Sequence, residues 1–360
     1  MPPPIRVLLI GPSMRILGGQ AVQIQQVLRH LGARPEVDIH FQWMNAPLPA
    51  PLRDIRGLRT LVAWLVYVPV VFARAWRYDI LHVFTASYWG YTLWVLPALL
   101  AAKLFRKKLL LHYHDGQARD HIANWKSAIP TIKMADTLIS PSAFLVDVFR
   151  DFGLHCRAIF NVIERETYIY RKRSTLRPVL LHNRILEPLY NVECALRTFK
   201  RVQARYPEAS LIIAHDGPSG PSLEAYAREL KLTNYRFIGR VPHDQIGKLY
   251  DAVDIYLTTT NIDNMPVSLL ECAASGLPIV ATNTGGIPYI VTNERTALLF
   301  PVNDDEAAAN ACFRLLSDAD LVERLTAAAY EDVAQYTGPA VADQWIGVYR
   351  ELVAGQAPKP

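Results

Sequence analysis

The chain is 360 residues long, a length that suggests about two domains. Its composition, 51% hydrophobic and 20% charged, can bury sizeable cores and excludes a disordered chain. The net charge of +5 is modest and comes with no nucleic-acid motif, and four scattered cysteines (Cys156, Cys194, Cys272, Cys312) form no C-x-x-C pair, which argues against a zinc site or a disulfide framework and fits a reducing cytosol.

In chain order, the start MPPPIRVLLIG runs straight into a strand, Ile5–Ile10, without the basic, apolar and small-residue layout of a signal peptide. GPSMRILGGQAVQ (11–23) follows, with Gly18 and Gly19 just ahead of an amphipathic helix. Glycines there let a phosphate or sugar approach the backbone, or simply make a flexible loop. Ile39–Met44 is the second strand. Residues 58–77, LRTLVAWLVYVPVVFARAWR, are apolar and flanked by Arg53, Arg56, Arg59, Arg74 and Arg77. Val83–Ala102 then has no charged residue for 20 positions and is followed by Lys103, Arg106, Lys107 and Lys108. By length that run could span a bilayer. Against this, Ile80–Phe84 reads as a strand, and Gly90 and Pro97 interrupt the rest. The alternatives are a strand followed by a core helix, or a basic and aromatic face lying on an anionic membrane. Leu109–His114, Thr137–Ser140 and Ala158–Val162 complete the first set of strands, and HYHDG (112–116) places His114 at a strand end. The basic, irregular RETYIYRKRSTLRP (165–178) reads as a link to a second domain.

The strand and helix alternation then restarts with Val179–His182, Leu211–Ala214, Tyr235–Ile238, Ile255–Thr259, Ile279–Ala281 and Leu298–Phe300. This predicts two consecutive α/β units with parallel sheets, a cleft between them, and ligands at the carboxyl ends of the strands. Each further motif follows a strand: HNRILEPLYN (182–191) with Arg184 suited to a diphosphate, HDGP (215–218), the loop around Arg240 and Val241, and TNTGGIP (282–288). The most informative segment is DNMPVSLLE (263–271). A helix starting at Pro266 would aim its free N–H groups and dipole back toward Asp263, making a phosphate site. Asn264 suits the turn, Ser268 adds a hydroxyl, and Glu271 reaches a different part of the same ligand, which fits a molecule of sugar, diphosphate and nucleoside. Asp304-Asp305 reads as a solvated helix start rather than a D-x-D metal motif, and a last helix at about Ala340–Val353 carries Trp345 and Tyr349.

These residues, above all the run from GRVPH through LLECAASGLPIVATNTGGIP, resemble the retaining glycosyltransferases of family 4. The resemblance covers nearly the whole chain and is strongest over 178–302. It implies the GT-B fold: an α/β protein of two Rossmann-like domains facing each other across a cleft, with a C-terminal crossover helix. The expected bounds are 1–175 for the acceptor-binding domain, 176–338 for the donor-binding domain, and 339–360 for the crossover helix and tail. The resemblance also implies roles. Glu271 would hold the donor ribose, and Asp263 would meet the hydroxyls of the transferred sugar. The amides around Val267 and Ser268 would meet the diphosphate, which Arg184 stabilises as it leaves. The backbone near Arg240 and Val241 would flank the base, His114 would lie near the anomeric carbon, and Gly18 and Gly19 would face donor phosphate and acceptor. Three departures stand out: Asp263 where the family usually has Glu, Tyr190 where a lysine usually shares the diphosphate charge, and Tyr289 in place of a common acidic residue.

The expected function is sugar transfer from a nucleotide diphosphate sugar to a sugar or lipid-linked acceptor, with retention and without a cofactor or metal. The expected setting is bacterial cell-surface polysaccharide or glycolipid synthesis in the cytoplasm, peripheral on the inner face of the plasma membrane, with no nucleic acid involved. Tyr190 motivates one alternative, a catalytically weakened nucleotide-sugar-binding protein; a GT-B nucleotide-sugar epimerase is the other.

Overall fold

A computed structural model describes residues 3–13, 19–45, 57–85 and 87–355. Two compact units emerge, Met1–Val162 with Gly338–Pro360, and Ile163–Thr337.

The first unit holds strands β1 (Ile5–Gly11), β2 (Val37–Trp43), β3 (Ile80–Thr85), β4 (Lys108–Tyr113), β5 (Thr137–Ser140) and β6 (Arg157–Ala158). They form one parallel sheet in the order β2-β1-β3-β4-β5-β6. Among them run helices α1 (Gly19–Gly32), α2 (Leu58–Ala75), α3 (Tyr88–Leu104), α4 (Ala118–Asn124), α5 (Ala128–Ile132) and α6 (Ala143–Asp151). The central strands are covered on both faces, and β3 is buried at every position. That burial is why these strands are continuous apolar runs rather than alternating ones. One core cluster joins α2 and α3 to the sheet; another joins α1 to the last helix of the chain. The candidate bilayer span Val83–Ala102 is thus divided between β3 and α3, whose inner face (Tyr91, Val95, Ala98, Leu99, Ala102) is buried.

The expected strand Ala158–Val162 is shorter than its composition suggests, because only Arg157 and Ala158 pair with β5. Beyond them the buried Gln23 side chain replaces the ladder: its Oε1 accepts from the Val162 N–H at 2.7 Å and its Nε2 donates to the Val162 carbonyl at 3.1 Å.

The second unit has β7 (Val179–Asn183), β8 (Ser210–Ala214), β9 (Tyr235–Gly239), β10 (Ile255–Thr258), β11 (Ile279–Thr282) and β12 (Leu298–Phe300), all parallel in the order β12-β11-β10-β7-β8-β9. Its helices are α7 (Val192–Arg205), α8 (Gly220–Glu229), α9 (His243–Ala252), α10 (Val267–Ala274), α11 (Asp305–Ser317) and α12 (Ala319–Asp332). Short polar residues start several of them. Asn191 in the left-handed region caps α7 through the Cys194 N–H, and Asp304 and Asp318 cap α11 and α12, each accepting at 2.9 Å. Asp304-Asp305 is therefore a helix start, with Asp305 also paired to Arg197 and Arg201.

The last helix, α13 (Gly338–Val353), returns to the first unit, where Trp345 and Tyr349 are fully buried. Tyr349 shares a 2.7 Å hydrogen bond with His82 of β3, and Arg34 pairs with Asp343 at 2.7 Å.

Residues 165–178, which read as a link, are built into the second unit. The buried Asp254 carboxylate accepts from Arg171 at 2.6 Å and from both the backbone and Nε of Arg177 at 2.8 Å. Burial alone would raise the Asp254 pKa, but Arg177 and Arg171 outweigh it and hold it below the usual carboxylate value. A lowered folded-state pKa means the stabilisation is present above the unfolded value, about 3.9, and disappears as pH falls through the folded one. Asp254→Asn should therefore lose about 2 kcal/mol at neutral pH, with the deficit shrinking toward pH ~3. Thermal melts of both proteins across pH check this; a deficit that does not change with pH would refute it.

Candidate functional site

The second unit gathers most of the candidate residues at the carboxyl ends of β7, β9 and β10. Arg184 follows β7 directly. Its loop is tied to the HDGP loop after β8: the Leu186 N–H reaches the Asp216 carbonyl at 3.0 Å, and the Ser219 N–H reaches the Leu186 carbonyl at 2.9 Å. The segment after β10 is pinned to the turn at Pro188–Tyr190, with the Asn261 N–H on the Leu189 carbonyl at 2.9 Å and the Thr259 hydroxyl on the Asn191 carbonyl at 2.8 Å. These ties bring Arg184 and Tyr190 of one loop together with Asp263 from a distant piece of chain.

Arg184 donates to the Asp263 carboxylate, and its guanidinium carbon lies 4.6 Å from the centre of the Tyr190 ring. Tyr190, standing where a lysine was expected, thus offers a π face to the cation instead of a second positive charge. Burial works against the Arg184 charge, but the Asp263 carboxylate more than restores it, so Arg184 is a permanent cation. The other oxygen of Asp263 accepts from the Asn264 N–H at 2.9 Å, which fixes the turn into α10.

TNTGGIP serves this turn by close packing. The Gly286 N–H donates to the Asp263 carbonyl at 2.8 Å. A Cβ on Gly286 would overlap the Asn264 carbonyl, and one on Gly285, whose φ is +54°, would overlap that of Asp263. Tyr289, at the end of the short turn that follows, is exposed.

Helix α10 begins one residue later than expected. Pro266 is its N-cap with ψ at 109°, so Val267 is the first helical residue. The shift follows from the extended ψ of Pro266, which leaves it half outside the helix as an N-cap residue. The amides of Val267 and Ser268 in the first turn have no intrahelical acceptor, and Asn264, Pro266 and Ser268 are buried. Tyr256 on β10 donates to Ser268 Oγ at 2.8 Å, leaving the Ser268 hydroxyl proton available.

Glu271, three residues beyond Ser268, is 6% exposed. Tyr168 donates to its Oε1 at 2.9 Å and Tyr250 to its Oε2 at 2.6 Å, while His243 Nδ1 stands 3.8 Å from Oε1. Each carboxylate oxygen can accept a further bond. The other end of α10 stops at Gly276 in the left-handed region, and the buried Arg173 donates to the carbonyls of Ser275 and Gly276, both at 2.7 Å. Burial lowers the Arg173 pKa to about 10, which leaves it a cation opposite the negative end of the helix dipole.

Tyr168, Tyr250 and Arg173 were not foreseen. The residues they serve lie 103, 21 and 102 positions away, so no spacing marks them. The one available signal was a tyrosine-rich patch, TYIY (167–170), inside an otherwise basic link.

Arg240 follows β9 at Gly239 and pairs with Asp216 at 2.9 Å, with Val241 half-buried beside it. His114 belongs to the first unit. Its ring stacks on Phe84 at 4.7 Å and lies 4.1 Å from that of His112, and burial pushes its pKa down to about 3, so the imidazole is neutral. Gly19 opens α1, whereas Gly18 lies outside the described residues. No cluster of three or more His, Cys, Asp or Glu side chains suited to a metal occurs among the described residues.

Residues 169–332 match the family model described as glycosyl transferases group 1. A D-inositol 3-phosphate glycosyltransferase of Corynebacterium urealyticum is 32% identical over 158 residues, 41% of this chain and 37% of the relative. An α-D-kanosaminyltransferase of Streptomyces kanamyceticus is 27% identical over 179 residues, 49% of this chain and 46% of the relative. These matches span less than half the length of either relative. In structure, the chain is similar to the Anabaena protein HepE, solved in complex with UDP, with a TM-score of 0.76 at 16% identity, covering 97% of this chain and 100% of that one. The chain therefore has the GT-B fold, and it is within residues 169–332 that it is similar to the glycosyl transferases group 1 family.

Proposed function

We propose that this chain is a retaining, hexosyltransferase-like enzyme that moves a sugar from a nucleotide diphosphate sugar to an acceptor hydroxyl. The observation that carries the proposal is one continuous arrangement: the Arg184–Asp263 pair, the open first turn of α10, and Glu271 held one turn further along by Tyr168 and Tyr250. Its polarity matches the donor. The carboxylate of Asp263 suits sugar hydroxyls, Arg184 and the amides of Val267 and Ser268 suit a diphosphate, and Glu271 suits a ribose diol, with the backbone at Arg240 and Val241 beside the base. The UDP complex of the Anabaena structural relative makes uridine diphosphate sugars the first donors to try.

In the reaction, the acceptor oxygen bonds to the anomeric carbon on the face that the diphosphate leaves. The carbon–oxygen bond to the diphosphate breaks, and the diphosphate takes the acceptor proton. Negative charge grows on the leaving group, where a fixed cation and fixed N–H dipoles stabilise it. In this reading, the neutral His114 and the loop of Gly18 and Gly19 serve the acceptor side. Neutralisation by Arg184 and α10 replaces a metal. The acceptor is a sugar or lipid-linked intermediate of bacterial surface polysaccharide or glycolipid synthesis, met at the cytoplasmic face of the membrane.

The test is nucleoside diphosphate release from a donor panel in the presence of sugar and lipid-linked acceptors, with and without EDTA. Acceptor-dependent release unchanged by EDTA is expected. Tyr190 in place of a second cation favours one other reading, a binding protein that keeps the donor site. Calorimetric donor binding without transfer or hydrolysis would select it.

A further inference from the structure

Helix α2 is amphipathic in a way that solvent does not explain. Its inner face, Ala63, Tyr67, Val71 and Ala75, is buried in the core. Its outer face should then be polar. Instead, beyond Leu58 and Arg59 in its first turn, the exposed positions are Leu61, Leu65, Val66, Pro69 and Ala73, with Leu61 53% and Leu65 56% exposed. Helix α3 repeats the pattern. Trp89, 66% exposed, begins a stripe that continues through the half-buried Leu93 and Leu96 to the exposed Leu100 and Leu104.

The two helices lie side by side and run the same way. Trp64 donates to the Leu93 carbonyl at 3.1 Å, Tyr67 to the Trp94 carbonyl at 2.7 Å, and Phe72 meets Phe105 edge-on at 6.5 Å. Their outer stripes therefore adjoin, and their carboxyl ends fall at the same edge. Charge gathers there: Arg77 over the exposed Trp76 ring at 5.1 Å, then Lys103 and Arg106, both exposed. Between Gly57 and Tyr113 there are seven Lys and Arg residues and one acidic residue, Asp79, which Arg6 already pairs.

We propose that this α2–α3 face docks on an anionic lipid surface. The apolar stripes, with Trp89 and Trp76 near their ends, would enter the interfacial zone, and the basic edge would meet lipid phosphates. Helix α2 is long and apolar enough to cross a membrane, but its inner face is already committed to the sheet, so it lies on the bilayer instead. A second copy of this chain is a poorer occupant, because its own α2–α3 face would offer the basic edge no acidic group beyond the paired Asp79. The inference does not depend on the reaction proposed above. It has one consequence for it: Trp89 starts four residues after the end of β3, whose Thr85 carbonyl accepts from the His114 N–H at 3.4 Å, so the docked face adjoins the first unit's candidate acceptor edge.

The experiment is flotation of the purified chain at low salt with vesicles of phosphatidylcholine alone or mixed with phosphatidylglycerol. Binding to the mixed vesicles is expected. Leu65→Asp with Leu100→Asp, both at exposed positions that folding does not need, should weaken it at least about tenfold. Lys103→Glu with Arg106→Glu should weaken it about tenfold or more and remove the preference for the anionic lipid. Quenching of tryptophan emission by brominated lipid should fall in Trp89→Phe. Failure to float at low salt, flotation unaffected by the leucine substitutions, or self-association that those substitutions abolish without lipid would each overturn the proposal. Donor binding measured alongside by calorimetry separates a failure of docking from a failure of the donor site.

Discussion

Arg184→Ala should lower kcat by roughly 10²–10³-fold while donor KM changes much less. Among the described residues, Arg184 is the one guanidinium paired with Asp263, and Tyr190 offers it a ring rather than a second charge. In a site with two cations, losing one would leave the other; here, among the described residues of the second unit's site, the leaving diphosphate would keep the amides of α10. The substitution also removes the charge that opposes burial at Asp263, so its nearly buried carboxyl is pushed further up and more readily holds a proton, losing the ionised form that faces the sugar. The role of Tyr190 can be separated in the same experiment. Tyr190→Phe keeps the ring beneath the guanidinium and should be close to wild type, whereas Tyr190→Ala should lower kcat by about tenfold through lost positioning of Arg184. Steady-state kinetics together with calorimetry of nucleoside diphosphate binding make the distinction. An Arg184→Ala enzyme with wild-type kcat would remove this residue from the mechanism.

Gly286→Ala should damage the site as severely without touching any group that meets the donor. A methyl at this position overlaps the Asn264 carbonyl, and the neighbour that must yield is backbone rather than a flexible side chain. Moving the Asn264 peptide displaces Asp263 on one side and the first turn of α10 on the other. A displacement of about 1 Å at positioned groups costs on the order of 10²-fold in rate, and overpacking adds about 1–3 kcal/mol of instability. Both kcat/KM and the melting temperature should fall, and the sheet-level circular dichroism should not. Wild-type kinetics and stability in Gly286→Ala would show that the GGIP loop has room to spare and that the turn before α10 is not held from behind.

These two cases differ in how far they could be read before the structure. Arg184 was legible because it directly follows a strand, and Asp263, Glu271 and the approximate start of α10 because they fall within one short motif, where local chemistry is enough to suggest an anion site. The glycines of TNTGGIP were legible as a loop, but the expected use was close approach of a ligand. Their observed use is close approach of the Asp263–Asn264 backbone, a contact between residues more than twenty positions apart. Tyr168 and Arg173 went unread for the same reason. A basic, irregular stretch has no periodicity, and only folding brings it against Glu271 and the end of α10.

What the sequence determined by itself was the alternation of twelve strands with helices. In parallel sheets covered on both faces, strand positions must be apolar, so the strands stand out as short hydrophobic runs, and one helix start stands out at Asp304-Asp305, where Asp304 caps α11. What only the tertiary structure decided was which groups meet. The partner of Arg184, the two hydroxyls on Glu271, the Gln23 amide that replaces strand pairing at Val162, and the outward apolar faces of α2 and α3 all depend on where distant segments pack. Burial of one side of α2 makes the other side's leucines a surface feature, and no count of its residues could say which side that would be. Composition sets how much apolar surface a helix has; packing against the sheet decides which part of it is left for a partner.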